Sequence, residues 1–523
     1  MMFRSANLGM GWPAALALSV SGTSAALAVA VSALLVVSWL VTGRGADGKR
    51  RGSGRLPLPP GPRGWPLLGY LPRLMASADP PMALAGEARR YGEVIGVNLA
   101  GQLVVVLSSP RAAKEAFSNP NLAARPRNSF YNEVIPNGEG VVLASGESWS
   151  VQRKFSLSVF RGLGVFRTGF EEHIATESNA VLGELRARGS RAFDPTHLLS
   201  NAVANVISSV TLGRRLDYDD PRCRRTLAAV NRAMAISGSG GAMQFLPLAQ
   251  RLTFLPSYRE LQRCIAVVVD FLREEVAEHK RDFDPEACPR DFVDSYLAEI
   301  ERSAPRRDDA GRPHPINADN MLVTIFEMFV AGTETTSSAL RWAVLLMLAH
   351  PEVQGRVQAE LDAVVGRNRL PRLADKPSLP YTEATILEML RFTVVSPLTL
   401  AHRASQDTEV LGFRVPKDTI VVANILAMCR DETVWSDPHT FNPDRFIRDG
   451  KLLQREELNV FSVGRRACLG EQLARKELFI FFSHFLHQFT FKRPDETKPV
   501  SFETTNGMTA APMPYEICAV PRD

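Results

Sequence analysis

The chain is expected to fold mainly as α-helix with a smaller β portion, an α+β arrangement forming one large domain behind an N-terminal membrane-spanning helix. Three observations lead there. Long segments repeat apolar residues at three- and four-residue spacing, two shorter stretches alternate instead, and an uncharged apolar run opens the sequence.

The opening run comes first. No residue from Ser5 to Thr42 is ionisable, and Ala14 to Val41 exceeds the roughly 20 helical residues that cross a hydrocarbon core. It is also longer than the roughly 7–15 apolar residues of a cleaved signal core, so an uncleaved anchor is expected over residues 1–45. Lys49, Arg50, Arg51 and Arg55 follow the run and only Arg4 precedes it, which places the bulk of the protein in the cytosol. This is the densest basic run of a chain with a net charge of +5, and it lies beside apolar residues instead of forming a stripe. A bilayer, not a nucleic acid, is the expected partner.

Residues 46–72 read as a basic, Pro-rich hinge, because Leu56-Pro57-Leu58-Pro59-Pro60-Gly61-Pro62 fixes φ at successive positions and gives a stiff connector. Residues 73–523 form the main domain, since no linker or repeat divides them. The whole chain's 45% apolar and 22% charged composition excludes disordered and collagen-like classes. Val94 to Leu107, interrupted by Ala100-Gly101, predicts a hairpin. Helices are predicted near Trp149–Phe160, Phe170–Ala187, Leu261–Phe283 and Asn317–Leu348, the last long enough to traverse a domain. A short helix with Pro351 in its first turn and Gly366 beyond its end comes next. Glu409 to Ala423 is β-rich, and a final helix runs from Cys468 towards Phe489.

Six cysteines, Cys223, Cys264, Cys288, Cys429, Cys468 and Cys518, show no disulfide or CxxC spacing, which fits a reducing compartment. Cys468 stands apart. It follows Phe461-Ser462-Val463-Gly464-Arg465-Arg466-Ala467 and precedes Leu469-Gly470, so helix N-terminal amides and arginines can favour a thiolate that Phe461 shields. A lone cysteine is more often a small buried hydrophobe; its neighbours decide between the two.

The pattern Phe-x-x-Gly-x-Arg-x-Cys-x-Gly resembles the cysteine loop of the cytochrome P450 family, and four further motifs occur in that family's order. They are Trp149-x-x-x-Arg153, Ala331-Gly332-Thr333-Glu334-Thr335-Thr336, Glu388-x-x-Arg391 and Phe441-Asn442-Pro443-Asp444-Arg445-Phe446. The resemblance spans most of the chain and implies that residues 73–523 are a haem-thiolate monooxygenase domain holding haem b, with Cys468 as the iron's axial ligand. It further implies that Trp149, Arg153, Arg466 and either His402 or its neighbour Arg403 contact haem carboxylates, with Ala331 and Phe461 against the macrocycle. Thr335 and Glu334 are implied in oxygen activation and proton relay, while Glu388, Arg391 and Arg445 form a structural network. The family often has Asp where Glu334 stands, so the acid's arm is longer here.

No dinucleotide fingerprint appears, so electrons from NADPH must arrive through a separate reductase, with a cytochrome b-type donor as a second partner. Lys154, Arg465, Arg475 and Lys476 are candidates for docking it. By the same resemblance the substrate pocket is walled by the loop Arg127 to Val142, by Phe326, Val330 and Ala331, by the strand Val394 to Leu400, and by Thr505 to Met508. These are mostly apolar and suit a small lipophilic substrate. Phe245 to Pro256 could dip into the bilayer. Leu379 to Glu388 with Val394-Val395, and Gly470 to Ala474, are most similar to animal microsomal enzymes of clan two, above all its U subfamily of long-chain fatty-acid hydroxylases. That likeness implies a place in the endoplasmic reticulum membrane. A steroid, secosteroid or xenobiotic hydroxylase is the alternative. A reductase-independent haem-thiolate isomerase, which characteristically lacks the acid–alcohol pair, and a non-catalytic haem or ligand carrier are the remaining readings.

Overall fold

The computed structural model describes residues 56–126, 134, 135, 138–239, 256–303, 314–505 and 507–522. The expected anchor, its basic run, most of the loop 127–137 and the patch 245–255 lie outside the described residues, among which no helix is long and apolar enough to cross a membrane.

Fourteen helices are described: α1 (Leu71–Ala76), α2 (Pro80–Tyr91), α3 (Pro110–Ser118), α4 (Gly146–Gly162), α5 (Glu171–Arg188), α6 (Thr196–Thr211), α7 (Pro221–Ser239), α8 (Pro256–Arg281), α9 (Phe292–Ser303), α10 (Ala318–Ala349), α11 (Pro351–Val364), α12 (Pro380–Thr393), α13 (Ile425–Cys429) and α14 (Glu471–Gln488). The strands are β1 (Val94–Leu99), β2 (Gln102–Leu107), β3 (His402–Arg403), β4 (Thr408–Val410), β5 (Phe413–Val415), β6 (Ile420–Ala423), β7 (Ile447–Arg448), β8 (Lys451–Leu452), β9 (Phe489–Lys492) and β10 (Cys518–Pro521). The predicted hairpin is β1–β2, turned by Ala100 (φ 49°) and Gly101 (φ 90°), the positive pair that a two-residue turn needs to match strand twist. The main sheet runs β1-β2-β6-β3, with β2 and β6 parallel and the other neighbours antiparallel.

α10 is the axis of the molecule. Asn317 caps it by accepting from the Asn320 amide, and its 32 residues extend for roughly 48 Å. It packs against α6, α8, α12 and α14, so its apolar residues point nearly all round. α6 is likewise buried on almost every side, from Leu198 to Thr211, which removes the amphipathic stripe that sequence periodicity detects. Buried Glu388 and Arg391 of α12 form a two-pronged pair (2.7 Å for each prong), and Arg445 Nε donates to the same carboxylate at 3.1 Å. Arg391 also donates to the carbonyls of Cys429 and Pro438, tying α12 to the chain that leads to the cysteine loop.

One sequence expectation is corrected and another gains detail. The segment Val394 to Leu400 is not a strand: α12 ends at Val394 in a left-handed conformation (φ 42°), Pro397 has no amide to donate, and one bridge, Leu398 to Asn424, is all the pairing it makes. The Pro-rich connector, expected to be stiff, is also docked. Pro60 O accepts from the Gly96 amide at 2.8 Å and Pro57 O from the Arg414 amide at 2.8 Å, while Tyr70 and Leu71 join the apolar cluster on the sheet. Packing against β1 and β5 thus begins well upstream of residue 73.

Candidate active site

The cysteine loop precedes α14. The Cys468 amide donates to Phe461 O at 2.9 Å, closing the loop, and Gly464 (φ 77°) lets it pass beneath α3. A Cβ on Gly464 would lie 2.2 Å from Phe117 O, so only glycine fits on grounds of both space and conformation. Phe461 is half-buried beside the sulfur's own amide, with the Arg475 guanidinium 4.8 Å from its ring. α14 itself begins at Glu471, three residues after Cys468. The thiol is accessible yet crowded by protein. Burial pushes it up, while the amides of Gly470 and Glu471 and the charge of Arg153 pull it down. Burial wins, so the protein's own groups do not by themselves make the thiolate that the sequence argument expected. A metal cation on the sulfur would supply the missing positive charge.

Around this loop the chain gathers Arg125, Arg153, Arg466 and His402. Arg466 lies over the Trp149 ring at 4.0 Å and donates to Ala123 O at 2.8 Å. Burial, with Arg125 and Arg153 nearby, pushes its guanidinium down to about 8. Arg125 is buried too and pushed down to about 10, and Arg153 donates to Ala467 O at 2.7 Å. His402 stacks on Phe117 (centroids 4.0 Å apart), its Nδ1 is 2.7 Å from Leu122 O, and burial beside Arg125 holds it well below the usual imidazole range. Its neighbour Arg403 turns away, donating to Arg125 O and pairing with Asp418 at 2.6 Å. Glu327 is the carboxylate whose charge reaches both Arg125 and Arg466.

Buried Trp149 Nε1 has no hydrogen-bond partner among the described residues. An orphaned indole N–H amid three crowded guanidiniums is the environment that a planar ligand with two carboxylates would satisfy. Haem b fits that description. Arg125 was missed by sequence reasoning because Ala124-Arg125-Pro126 belongs to no periodic element. Glu327 had a signal that went unused: it is the only charge between Met321 and Thr333 of α10.

On α10, Ala331 and Thr335 are exposed, whereas Thr333, Glu334 and Thr336 are buried. Four residues apart, they share one face. The Thr335 hydroxyl donates to Ala331 O at 2.7 Å. Gly332 faces elsewhere, since a Cβ there would meet Ile207 of α6 at 3.1 Å, so its smallness serves helix packing. Glu334 is buried on another face, accepting from Thr509 Oγ1 (2.8 Å) and Ser338 Oγ (3.1 Å), and burial raises it against those hydroxyls and Arg341. Two residues on, Thr336 bonds the buried Glu477 of α14, which burial holds well above the usual carboxylate range.

The remaining candidates divide. Lys154 and Arg465 are exposed, but Lys476 donates to Val165 O and Arg167 O, and Arg475 is paired with Glu471. The apolar walls include buried Phe326 and Val394, and Met508 and Ala510 are held by backbone bonds to Met234 and Val395. Elsewhere, His279, Asp291 and Asp294 approach one another. Their acids already have structural work: Asp291 accepts from the Asp294 amide at the start of α9, and Asp294 grips Arg290.

The sequence profile described as "Cytochrome P450" matches residues 59–519. Cytochrome P450 2J5 of Mus musculus is 36% identical over 468 residues, covering 89% of this chain and 91% of that protein. Cytochrome P450 2D6 of Homo sapiens is 37% identical over 473 residues (89% and 93%), and cytochrome P450 2J2 of Homo sapiens 33% over 476 (89% and 91%). These matches make the chain a haem-thiolate monooxygenase. It belongs to the cytochrome P450 family, and so uses haem b, lipophilic substrates and electrons from NADPH delivered by a separate reductase.

Proposed function

We propose that the chain hydroxylates a long-chain fatty acid at a site bounded by the cysteine loop and the accessible face of α10. The observation that carries the site is the orphaned Trp149 N–H beside a cluster of buried Arg125 and Arg466 and half-buried Arg153 near Cys468. Cys468 would bind the iron. Trp149, Arg125, Arg153, Arg466 and His402 would hold the haem carboxylates, Arg403 being committed to Asp418. Ala331 and Phe461 would border the macrocycle. When bound, haem b supplies the activation of dioxygen and the insertion of one oxygen atom into a C–H bond.

The protein's own residues bind, orient and move protons. With Nδ1–H donating to Leu122 O, His402 would hold a carboxylate through Nε2 only as the protonated imidazolium, a form that a bound carboxylate would favour. Thr335 offers a hydroxyl on the open face, and Glu334, raised by burial, can release and regain a proton through Thr509 and Ser338. Apolar walls at Phe326, Val330, Val394 and Val395 exclude water and suit an alkyl chain. The U-subfamily likeness of Leu379–Glu388 and Gly470–Ala474 supports a fatty acid over a steroid, secosteroid or xenobiotic.

Residues 1–45 are proposed to anchor the enzyme in the endoplasmic reticulum membrane, with residues 46–72 as the hinge region and the catalytic domain on the cytosolic side. Lys154 and Arg465 would face the reductase or a cytochrome b-type donor. The test is a spectral titration of the purified holoenzyme with fatty acids, steroids, secosteroids and drug-like amines, followed by product analysis with reductase and NADPH. Tightest binding and hydroxylation of a long-chain fatty acid are expected; a steroid or amine as preferred substrate refutes the fatty-acid reading. Cys468→Ala should abolish the thiolate-type absorbance of the ferrous carbon monoxide complex.

A further inference from the structure

Both hydroxyls that reach Glu334 fall on one of its oxygens. Thr509 Oγ1 lies 2.8 Å and Ser338 Oγ 3.1 Å from Oε1, so when the acid is neutral its proton belongs on Oε2. The two donors differ in origin. Ser338 stands four residues further along α10 and moves with the acid, whereas Thr509 belongs to the segment 507–515 near the C-terminal end of the chain. Thr509 is 5% exposed and Glu334 6%, so water has little access to replace a lost bond.

Backbone ties on either side place Thr509. The Met508 amide donates to Met234 O of α7 at 3.1 Å, and the Ala510 amide donates to Val395 O at 2.8 Å. Gly507 shows how closely the segment lies on α7, because a Cβ there would come 3.0 Å from Met234 O. Past Thr509 the segment is pinned to α10: Trp342 Nε1 donates to Ala510 O at 2.7 Å, Arg341 to Pro512 O at 2.6 Å and the Tyr515 hydroxyl to Arg341 O at 2.5 Å. Those bonds fix one end, which leaves 507–509 as the stretch that a displaced wall can move. A shift of about 1 Å takes the Thr509 bond out of hydrogen-bonding range.

We propose that Thr509 is a positioning residue: it orients the Glu334 carboxyl and passes to it the displacement of the walls at Met508 and Val395, so that a substrate filling the space tunes proton delivery. The inference rests on reading Glu334 as the proton-handling acid and Met508 and Val395 as walls. Valine at 509 keeps the branched shape and removes the donor, while serine keeps the donor and removes the methyl group.

The test compares holoenzymes of wild type, Thr509→Val and Thr509→Ser, with Glu334→Gln to assign the acid's carbonyl band. Infrared difference spectra at mildly acid pH should show that band at higher wavenumber in Thr509→Val, since its C=O has lost a donor, and near its wild-type place in Thr509→Ser. With hexadecanoic acid, NADPH and reductase, Thr509→Val should form roughly ten-fold less product per NADPH consumed, the remainder leaving as peroxide, with KM changing less. Thr509→Ser should restore the yield. Decanoic acid, which presses less on the walls, should couple poorly in wild type and little differently in Thr509→Val. An unmoved band overturns the bond as what orients the acid. A moved band with unchanged yield, or a loss that serine does not restore, overturns the role in proton delivery. An equal effect of Thr509→Val on both acids overturns the link to the walls. If neither acid is oxidised, the substrate reading falls alone: the band needs no substrate, and the yield comparison passes to the compound that product analysis identifies.

Discussion

An indole N–H buried without an acceptor costs a folded chain free energy unless a ligand takes the bond. Trp149→Phe keeps the ring under Arg466 and deletes only that donor. Loss of a hydrogen bond to a charged acceptor, about 1.5–3 kcal/mol, should speed haem dissociation roughly ten- to hundred-fold, measured by transfer to an apo-globin acceptor. His484 tests a different balance. Its Nδ1 contacts Ser178 Oγ at 2.9 Å and its Nε2 contacts Pro371 O at 2.9 Å, and burial pushes it down to about 4. Its folded pKa lies below the ordinary 6.5, so the unfolded chain takes up the proton first. Its contribution is whole above pH 6.5 and is lost as pH falls from 6.5 towards 4, by on the order of 3 kcal/mol. Thermal unfolding midpoints at pH 7 and pH 5 should therefore differ less in His484→Gln than in wild type. Single residues were the most legible scale where spacing marks them, as with Cys468, Trp149 and Arg153. Arg125 and Glu327 owe their places to loops folding back on α10, which no local spacing records.

At the scale of elements, the helices foreseen from periodicity end within a few residues of the observed ones. Asn317 and Pro351 stop and start chain where their side-chain chemistry says they should. α6, together with α1, α2, α3, α7, α9 and α13, went unread. The first is buried all round, and burial on every face leaves no period to detect. The apolar run Val394–Leu400 looked like a strand because composition cannot show that Val394 ends α12 left-handed. Two substitutions probe how elements are joined. Arg391→Ala leaves Glu388 charged and buried with half its partners gone, so a loss of about 3–5 kcal/mol is expected, seen as little or no haem-containing protein on expression. Gly464→Ala drives a methyl group into Phe117 O and forces a left-handed alanine. It should displace the cysteine loop from α3, lowering haem content while circular dichroism retains the helices.

For the whole molecule, the expected class, mainly α with a smaller β part, is what the chain adopts, and its axis is the long helix that carries Ala331 and Thr335. Its charge is distributed by use. Acid and base pair at the surface, as in Arg356 with Asp444, whereas around Trp149 positive groups outnumber negative ones. Raising ionic strength should therefore weaken electron delivery from the reductase, which would meet exposed Lys154 and Arg465, without weakening haem retention. Reduction rates across a salt series against haem dissociation rates check the contrast.

The docked connector has a mechanical meaning. With Pro57 and Pro60 bonded to β5 and β1, a pull on the chain upstream is delivered as shear along the sheet edge and not as unwinding of a loose leash. Any swivel must lie before Pro57. Measured from the span proposed to end at Val41, that leaves a radius of at most about 50 Å of extended chain. An anchor upstream would moor the enzyme on a short line fixed to its hull, and the face offered to the bilayer would then be set by the sheet.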